Sequence, residues 1–331
     1  MNFIGMDIHK QFTVAVAKDE QGNELAKDKF ENSKETFANF LNQFPSENTK
    51  IVIESTCVWE YIYELLEEMR YDVKLANPSK TKAIAYARIK IDSVDASTLA
   101  DLLRANLVAE NYIPKKEVRR LREITRERKT FVIQSTQLKN KIQSMLIKRG
   151  IKLPTKALGK KALKMLSENI SEGDIFEHYI NLLWYNKQEL NFIEDKIRKI
   201  ANENKEAKLL MTIPGIAEIR AMEIVAEIGE IERFPTADKL CSYAGLVPSI
   251  RQSGTTLHIG RLVKQSSKIL KNTLIESSWT LIQSKGSNPL QEFYKKLAKK
   301  RGKQKAICAT ARKLCCVIYA MLKNKEEFRY S

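Results

Sequence analysis

The first 110 residues alternate short apolar runs with amphipathic stretches. Asn2 to Ile8 and Phe12 to Ala17 read as two strands, with a turn at Gln21–Gly22–Asn23 and a third strand over Lys27 to Glu31. Glu35 to Phe44 has helical spacing. Lys50 to Ile53 is an apolar run of buried-strand type closed by Glu54, Trp59 to Arg70 is helical, and Asp72 to Ala76 is a strand broken by Asn77–Pro78. Two helices follow, the last over Asp92 to Leu107. Three strands followed by alternating helix and strand predict an α/β domain around one mixed sheet.

Beyond Pro114 the period changes from two to about 3.6 residues. Lys115 to Arg149 contains neither Pro nor Gly and reads as one long helix. A second runs from Ile175 to Ala201. Its Phe176, Tyr179, Leu183, Asn186, Leu190, Ile193, Ile197 and Ile200 repeat at three-four spacing, a heptad seam with one polar residue, Asn186, of the kind that fixes register. Such a seam serves equally a coiled-coil dimer or a hairpin closed within one chain. From Leu209 onward Ile213–Pro214–Gly215–Ile216 sits between helical patterns and resembles a helix-hairpin-helix, whose backbone N–H groups can face a phosphate; a plain turn between packed helices fits as well.

Charge divides the chain in the same place. The whole of it carries a net charge of +17. Met1 to Glu110 holds 13 basic and 18 acidic residues, so the excess of positive charge lies wholly beyond it. Lys115 to Lys164 holds 17 basic and 3 acidic residues, and Lys285 to Ser331 holds 13 and 3. Clusters with so few compensating acids neutralise phosphates, which points to nucleic acid as partner. The five cysteines form no CxxC pair and only three histidines occur, which argues against structural zinc and for free thiols in a reducing cytoplasm. No basic leader with a long apolar core opens the chain, and no stretch of about 18 apolar residues exists, so neither signal peptide nor membrane span is expected.

Four carboxylates stand out. Asp7 interrupts the apolar run Phe3–Ile4–Gly5–Met6–Asp7–Ile8, where an acid is costly unless paired, solvated or metal-bound. Glu54 ends Ile51–Val52–Ile53. Asp92 and Asp95 are three apart at a helix start and share a face, although capping and the helix dipole also favour acids there. Carboxylates converging from strands and a helix suit Mg²⁺, with Mn²⁺ as the alternate ion, and the chemistry of phosphodiesters. The order of an early strand Asp, a later strand Glu and a helical Asp pair matches a ribonuclease-H-like fold. An actin-like ATPase shares the strand order, but no Gly-rich phosphate loop follows the first strand.

At these residues the chain resembles the DEDD-type transposases of the insertion-sequence one-ten family, relatives of the Piv DNA invertase. The motifs are Gly5–Met6–Asp7 with Lys10, Val52–Ile53–Glu54–Ser55–Thr56, Asn77–Pro78, and Lys90–Ile91–Asp92–Ser93–Val94–Asp95–Ala96. They continue with Ile213–Pro214–Gly215–Ile216, Tyr243–Ala244–Gly245–Leu246–Val247–Pro248, and Gln252–Ser253–Gly254 before Gly260–Arg261 and Lys264. The chain departs from the family pattern at Cys57–Val58 before Trp59, where family members usually carry a Gly before the aromatic residue, and at Gln265 after Lys264, where a Gly is common.

The resemblance implies a metal tetrad of Asp7, Glu54, Asp92 and Asp95, and Ser253 as the nucleophile that joins DNA through a phosphoserine link. It implies DNA donor and target as substrates, a structured non-coding guide RNA (the bridge RNA) and assembly as homo-dimer or tetramer. It also implies a division into a RuvC-like catalytic domain (1–112), a helical coiled-coil segment (113–205) and a C-terminal helical transposase domain (206–331). From its residues alone Gln252–Ser253–Gly254 reads as a loop and Ser253 as an ordinary polar side chain; Arg251, Arg261 and Lys264 are candidates to stabilise charge on phosphorus. A Holliday-junction-resolvase-like nuclease, which shares the acidic tetrad and hydrolyses with water, and a non-catalytic nucleic-acid scaffold are the competing readings.

Overall fold

In the computed structural model, residues 1–85, 91–151, 175–253, 256–286 and 288–329 are described. Lys90 and Gly254 of the motifs above, and the part of the first basic cluster beyond residue 151, lie outside them. The chain forms two compact units, Met1–Ile113 and Pro114–Ser331. The long helices expected over 113–205 belong to the same unit as the C-terminal segment.

The first unit is built on a five-stranded mixed sheet in the order β3-β2-β1-β4-β5. Its strands are β1 (Asn2–Ile8), β2 (Phe12–Lys18), β3 (Glu24–Glu31), β4 (Thr49–Glu54) and β5 (Asp72–Ala76). β1 runs antiparallel to β2 and parallel to β4, and the pleat divides its residues between two faces. Ile4, Met6 and Ile8, with Ile51 and Ile53, pack under α1 (Lys34–Leu41) and α2 (Trp59–Glu68) through Phe37, Phe40, Ile62 and Leu66. The opposite face, with Val52, Ala76, Val14 and Val16, is covered by Ala96, Leu99 and Leu103 of α4 (Asp92–Arg104). The near-continuous apolar run of β1 is the expected signature of a strand covered on both sides.

Asn77–Pro78 does more than end β5. The Asn77 side chain accepts the Lys80 amide, Pro78 sits in the first turn, and the two start α3 (Pro78–Ile84). Gly5 lets α4 settle onto the sheet: an ideal Cβ there would lie 2.1 Å from the Ala96 carbonyl oxygen. Lys18, itself buried, pairs with Asp101 and ties β2 to the same helix.

The second unit is helical except for one hairpin. α5 (Lys116–Lys148) and α6 (Ile175–Glu203) pack against each other, so the heptad seam closes within the chain. Of its residues, Phe176, Leu183, Asn186 and Ile197 are buried. Asn186 faces α5, accepting a hydrogen bond from the Ser135 hydroxyl at 2.6 Å and donating to Gln134 Oε1 at 2.9 Å.

The base of that hairpin joins a larger core with α7 (Lys205–Met211), α8 (Glu218–Ile228), α9 (Ala237–Tyr243), α10 (Lys268–Gln283), α11 (Pro289–Arg301) and α12 (Lys303–Asn324). The Ile213–Pro214–Gly215–Ile216 turn links α7 to α8. Gly215 adopts φ 91°, and a Cβ there would stand 3.0 Å from Thr280 and the Leu281 amide, so glycine is required by both conformation and packing against α10.

Apolar α8 carries two glutamates that are each 1 % exposed. Arg128 Nη1 donates to Glu223 Oε1 at 3.0 Å and Arg126 Nε to Glu227 Oε1 at 2.9 Å, while the Thr273 and Ser267 hydroxyls donate to the remaining oxygens. These pairs clamp α5 to α8 and α10. All five cysteines are free thiols; Cys241 and Cys315 are buried, whereas Cys57 is exposed. No helix among the described residues is long and apolar enough to cross a membrane.

Candidate functional site

Three structural decisions bring acids together at one end of the sheet. First, the pleat turns Asp7 to the same face as Gly5, under α4. Second, the parallel register that sets Met6 opposite Ile53 puts Glu54 beside Asp7 when extended by one residue. Glu54 shares the face of Val52, which also lies under α4. Third, α4 begins at Asp92, so that Asp92 and Asp95 occupy its first turn, above the same strand ends. Its N-cap, Ile91, makes no side-chain capping bond, so capping does not account for the two acids.

Asp7 is only 7 % exposed. Burial pushes its pKa above the ordinary carboxylate value; His9 opposes the rise, and the charges of Asp92 and Asp95 add to it. A carboxylate held among like charges and kept from water is a costly arrangement unless a cation balances it.

His9 is the residue that sequence reasoning missed. Its Nε2 lies 3.2 Å from Asp7 Oδ2 and 3.4 Å from Asp92 Oδ2. One ligand atom from each of Asp7, His9 and Asp92 falls within 4.8 Å of the others. The available signal was its place two residues after Asp7, which returns a side chain to the same face of an extended strand. The donors brought together, Asp7, His9 and Asp92 with the Asp95 charge close enough to act on Asp7, fit a divalent cation such as Mg²⁺ or Mn²⁺.

Ser253 belongs to the other unit. It is the last residue of β6 (Pro248–Ser253), paired with Thr256 at the start of β7 (Thr256–Leu262). The expected loop is therefore the tip of a two-stranded ribbon, because the β-branched residues Ile250, Thr256 and Ile259 favour extended backbone on either side of the turn. Of Ser253 and Arg251 only the backbone is described. His258 stands opposite Arg251, and His258, Arg261 and Lys264 are exposed. Gly260 allows close strand approach, a Cβ there meeting Ser249 Oγ at 2.4 Å.

A second charged surface lies at the junction of α11 and α12. Lys295, Lys296, Lys299, Lys300, Arg301, Lys303 and Lys305 are exposed, and none pairs with an acid among the described residues. Lys303 and Lys305 stand in the first turn of α12, which has no acid of its own, where the helix dipole disfavours cations.

Two family models match the chain in succession. One, described as a transposase of the DEDD, IS110 type, covers residues 4–148, which include Asp7, Glu54, Asp92 and Asp95. The other, described as "Transposase IS116/IS110/IS902 family", covers residues 207–295, which include Ser253. Among similar proteins, the transposase for insertion sequence element IS1111A of Coxiella burnetii is 25 % identical over 294 residues, 84 % of this chain and 79 % of that protein. The transposase for IS1328 of Yersinia enterocolitica is 21 % identical over 330 residues, 97 % of this chain and 96 % of its own length. The pilin gene-inverting protein of Moraxella bovis is 36 % identical over 133 residues, 38 % of this chain and 39 % of that protein. With both models drawn from one group and a transposase aligned across 97 % of it, this chain belongs to the IS110 family, the insertion-sequence one-ten family of transposases.

Proposed function

We propose that this DNA transposase cuts and rejoins DNA with a divalent metal held by Asp7, Glu54, Asp92 and Asp95 in a ribonuclease-H-like (RuvC-like) domain, with Ser253 as nucleophile and a structured non-coding RNA as guide. The observation that carries the reading is the convergence of a buried Asp7, Glu54 on the adjacent strand and the first turn of α4. The strand order 3-2-1-4-5, with only the first three strands antiparallel, supports the RuvC-like assignment.

Bound to these residues, Mg²⁺ or Mn²⁺ would supply Lewis-acid stabilisation of charge on the scissile phosphate. The protein's own part is to hold four carboxylates on one face, which the Gly5 packing and the Lys18–Asp101 pair accomplish by fixing α4 on the sheet. Ser253 Oγ would attack phosphorus, forming a serine–phosphate ester and releasing a deoxyribose hydroxyl. Arg261, near the end of β7, and Lys264, just beyond that strand, are exposed and would balance charge on the phosphoryl oxygens.

The strongly basic second unit fits backbone contacts to nucleic acid. Such contacts fix position and leave sequence choice to base pairing with a guide. The α11–α12 junction, rich in unpaired lysines at a helix N-terminus, is the surface we assign to phosphate. We retain the functional division into catalytic (1–112), helical (113–205) and C-terminal (206–331) segments, and assembly as dimer or tetramer.

The test is trapping a denaturation-resistant protein–DNA adduct. Wild type should form it in the presence of metal, whereas Ser253→Ala and Asp7→Asn should not. An adduct in Ser253→Ala would refute the nucleophile. Strand cleavage by wild type without any adduct would point to hydrolysis by water, as in a junction resolvase.

A further inference from the structure

His9 is fixed as firmly as the acids it faces. Its amide donates to the Phe12 carbonyl at 2.9 Å, and its own carbonyl accepts from Asn32 Nδ2 at 2.8 Å. The imidazole stacks on the Phe12 ring, with centroids 4.5 Å apart and planes inclined by 30°. Lys29 Nζ sits 3.9 Å from the centroid of the Phe12 ring. The ring edge is thereby aimed at the acids. Although the side chain as a whole is partly exposed, Nε2 is shielded from solvent and makes no well-aligned hydrogen bond. A shielded nitrogen that faces two carboxylate oxygens either holds a proton between them or gives its lone pair to a cation bound there.

The spacing suggests which ligand. Neighbouring donors around an octahedral ion with bonds of about 2.1 Å stand about 3 Å apart. Nε2 is 3.2 Å from an Asp7 oxygen and 3.4 Å from an Asp92 oxygen, separations that adjacent ligands of one ion also have. Magnesium prefers oxygen donors, whereas imidazole nitrogen suits first-row transition ions, whose affinities rise from Mn²⁺ onward. A site of carboxylates alone would hold Mg²⁺ well. One nitrogen among them shifts the preference.

We propose that His9 Nε2 is a direct ligand of the metal shared by Asp7 and Asp92, and that this nitrogen biases the centre toward Mn²⁺ over Mg²⁺. The inference rests on the metal-centre reading given above and adds to it the donor that sets metal choice. It uses the imidazole lone pair, so Nδ1 carries the ring proton in the bound state.

The experiment uses the full chain, stripped of metal and titrated calorimetrically with Mn²⁺ or Mg²⁺, together with pulsed electron paramagnetic resonance of the Mn²⁺-loaded protein. In wild type, nitrogen modulation of the Mn²⁺ signal is expected, changing in pattern when histidine is labelled with ¹⁵N. That readout needs no substitution and no activity. In His9→Ala the nitrogen modulation should vanish. Its Mn²⁺ affinity should fall by at least the roughly ten- to hundredfold typical of removing a residue that only orients a metal ligand. Mg²⁺ affinity should change far less, so the Mn²⁺:Mg²⁺ preference narrows. His9→Gln, which restores an oxygen donor at similar reach, should recover Mg²⁺ binding more than Mn²⁺ binding.

Mn²⁺ binding that is lost in Asp7→Asn but unchanged in His9→Ala, with no nitrogen modulation in wild type, overturns the His9 assignment and leaves the metal centre standing. Failure of wild type to bind either ion overturns both.

Discussion

Gly5→Ala adds one carbon atom at the point where the fold makes the site. An ideal Cβ on Gly5 would stand 2.1 Å from the Ala96 carbonyl oxygen, 2.5 Å from the Ala100 amide and 2.9 Å from Leu99 Cβ. Two of these are helix backbone atoms, which cannot rotate away as a flexible side chain could. Ordinary contact begins near 3.4 Å. To restore it, α4 must retreat from β1 by about 1 Å, since close-packed interiors offer no slack. Overpacking of this kind costs about 1–3 kcal/mol. The same retreat lifts Asp92 and Asp95 away from Asp7 and Glu54. A misplacement of about 1 Å in positioned catalytic groups costs about a hundredfold in rate. The assays are thermal unfolding, calorimetric Mn²⁺ titration and cleavage of element-end DNA. A folded Gly5→Ala protein with weakened metal binding and about a hundredfold slower cleavage is expected. Wild-type stability together with wild-type metal affinity would refute the claim that the close approach of α4 to Gly5 sets the site.

Three further outcomes follow from the charges. The raised pKa of Asp7 means that the metal-free fold favours its protonated form, so that contribution to stability is present in acid and lost as pH rises through the folded-state value. Asp7→Asn should therefore unfold at a higher temperature than wild type near neutral pH without metal, the gap closing as pH falls. Adding Mn²⁺ should raise the wild-type transition and leave the variant where it was; a variant that is less stable than wild type at neutral pH without metal contradicts this. Glu223→Ala leaves the buried Thr273 hydroxyl without its acceptor and takes one of two carboxylates from Arg128, which keeps Glu194, and should cost about 1–3 kcal/mol, read by denaturant unfolding. A loss under about 1 kcal/mol would mean that the pair is solvated rather than buried. Replacing Lys295, Lys296, Lys299 and Lys300 with alanine should flatten the salt dependence of nucleic-acid binding by about 0.9 in slope for each phosphate no longer neutralised, and an unchanged slope would place the phosphates elsewhere.

Period and punctuation made most of the first unit legible. β1, β5 and the two long helices begin or end within a few residues of their sequence-derived limits, because apolar period, Pro114 and Asn77–Pro78 all act locally. Asp7 and Glu54 were legible for a related reason, as acids at the ends of buried strands with an energetic cost to explain. His9 was not, since its place beside Asp7 and Asp92 depends on a helix more than eighty residues downstream, and imidazoles beside strands are common. The Asn186 seam identified a register device but left the partner open; Ser135 and Gln134 on α5 supply the answer within the chain. Glu223 and Glu227 stayed hidden because their partners, Arg128 and Arg126, lie about a hundred residues upstream in a helix that by itself reads only as basic. The tip at Ser253 read as a loop because Gly254 dominates the local pattern, whereas strand pairing depends on residues on both sides of it.

The most direct measurement is the anomalous difference map of a crystal of the full chain soaked in Mn²⁺. A peak within bonding distance of Asp7 and Asp92, with Glu54, Asp95 and His9 around it, is the predicted result. A saturated crystal with no peak there, or with manganese bound only at sites away from the ends of β1 and β4, would contradict the account.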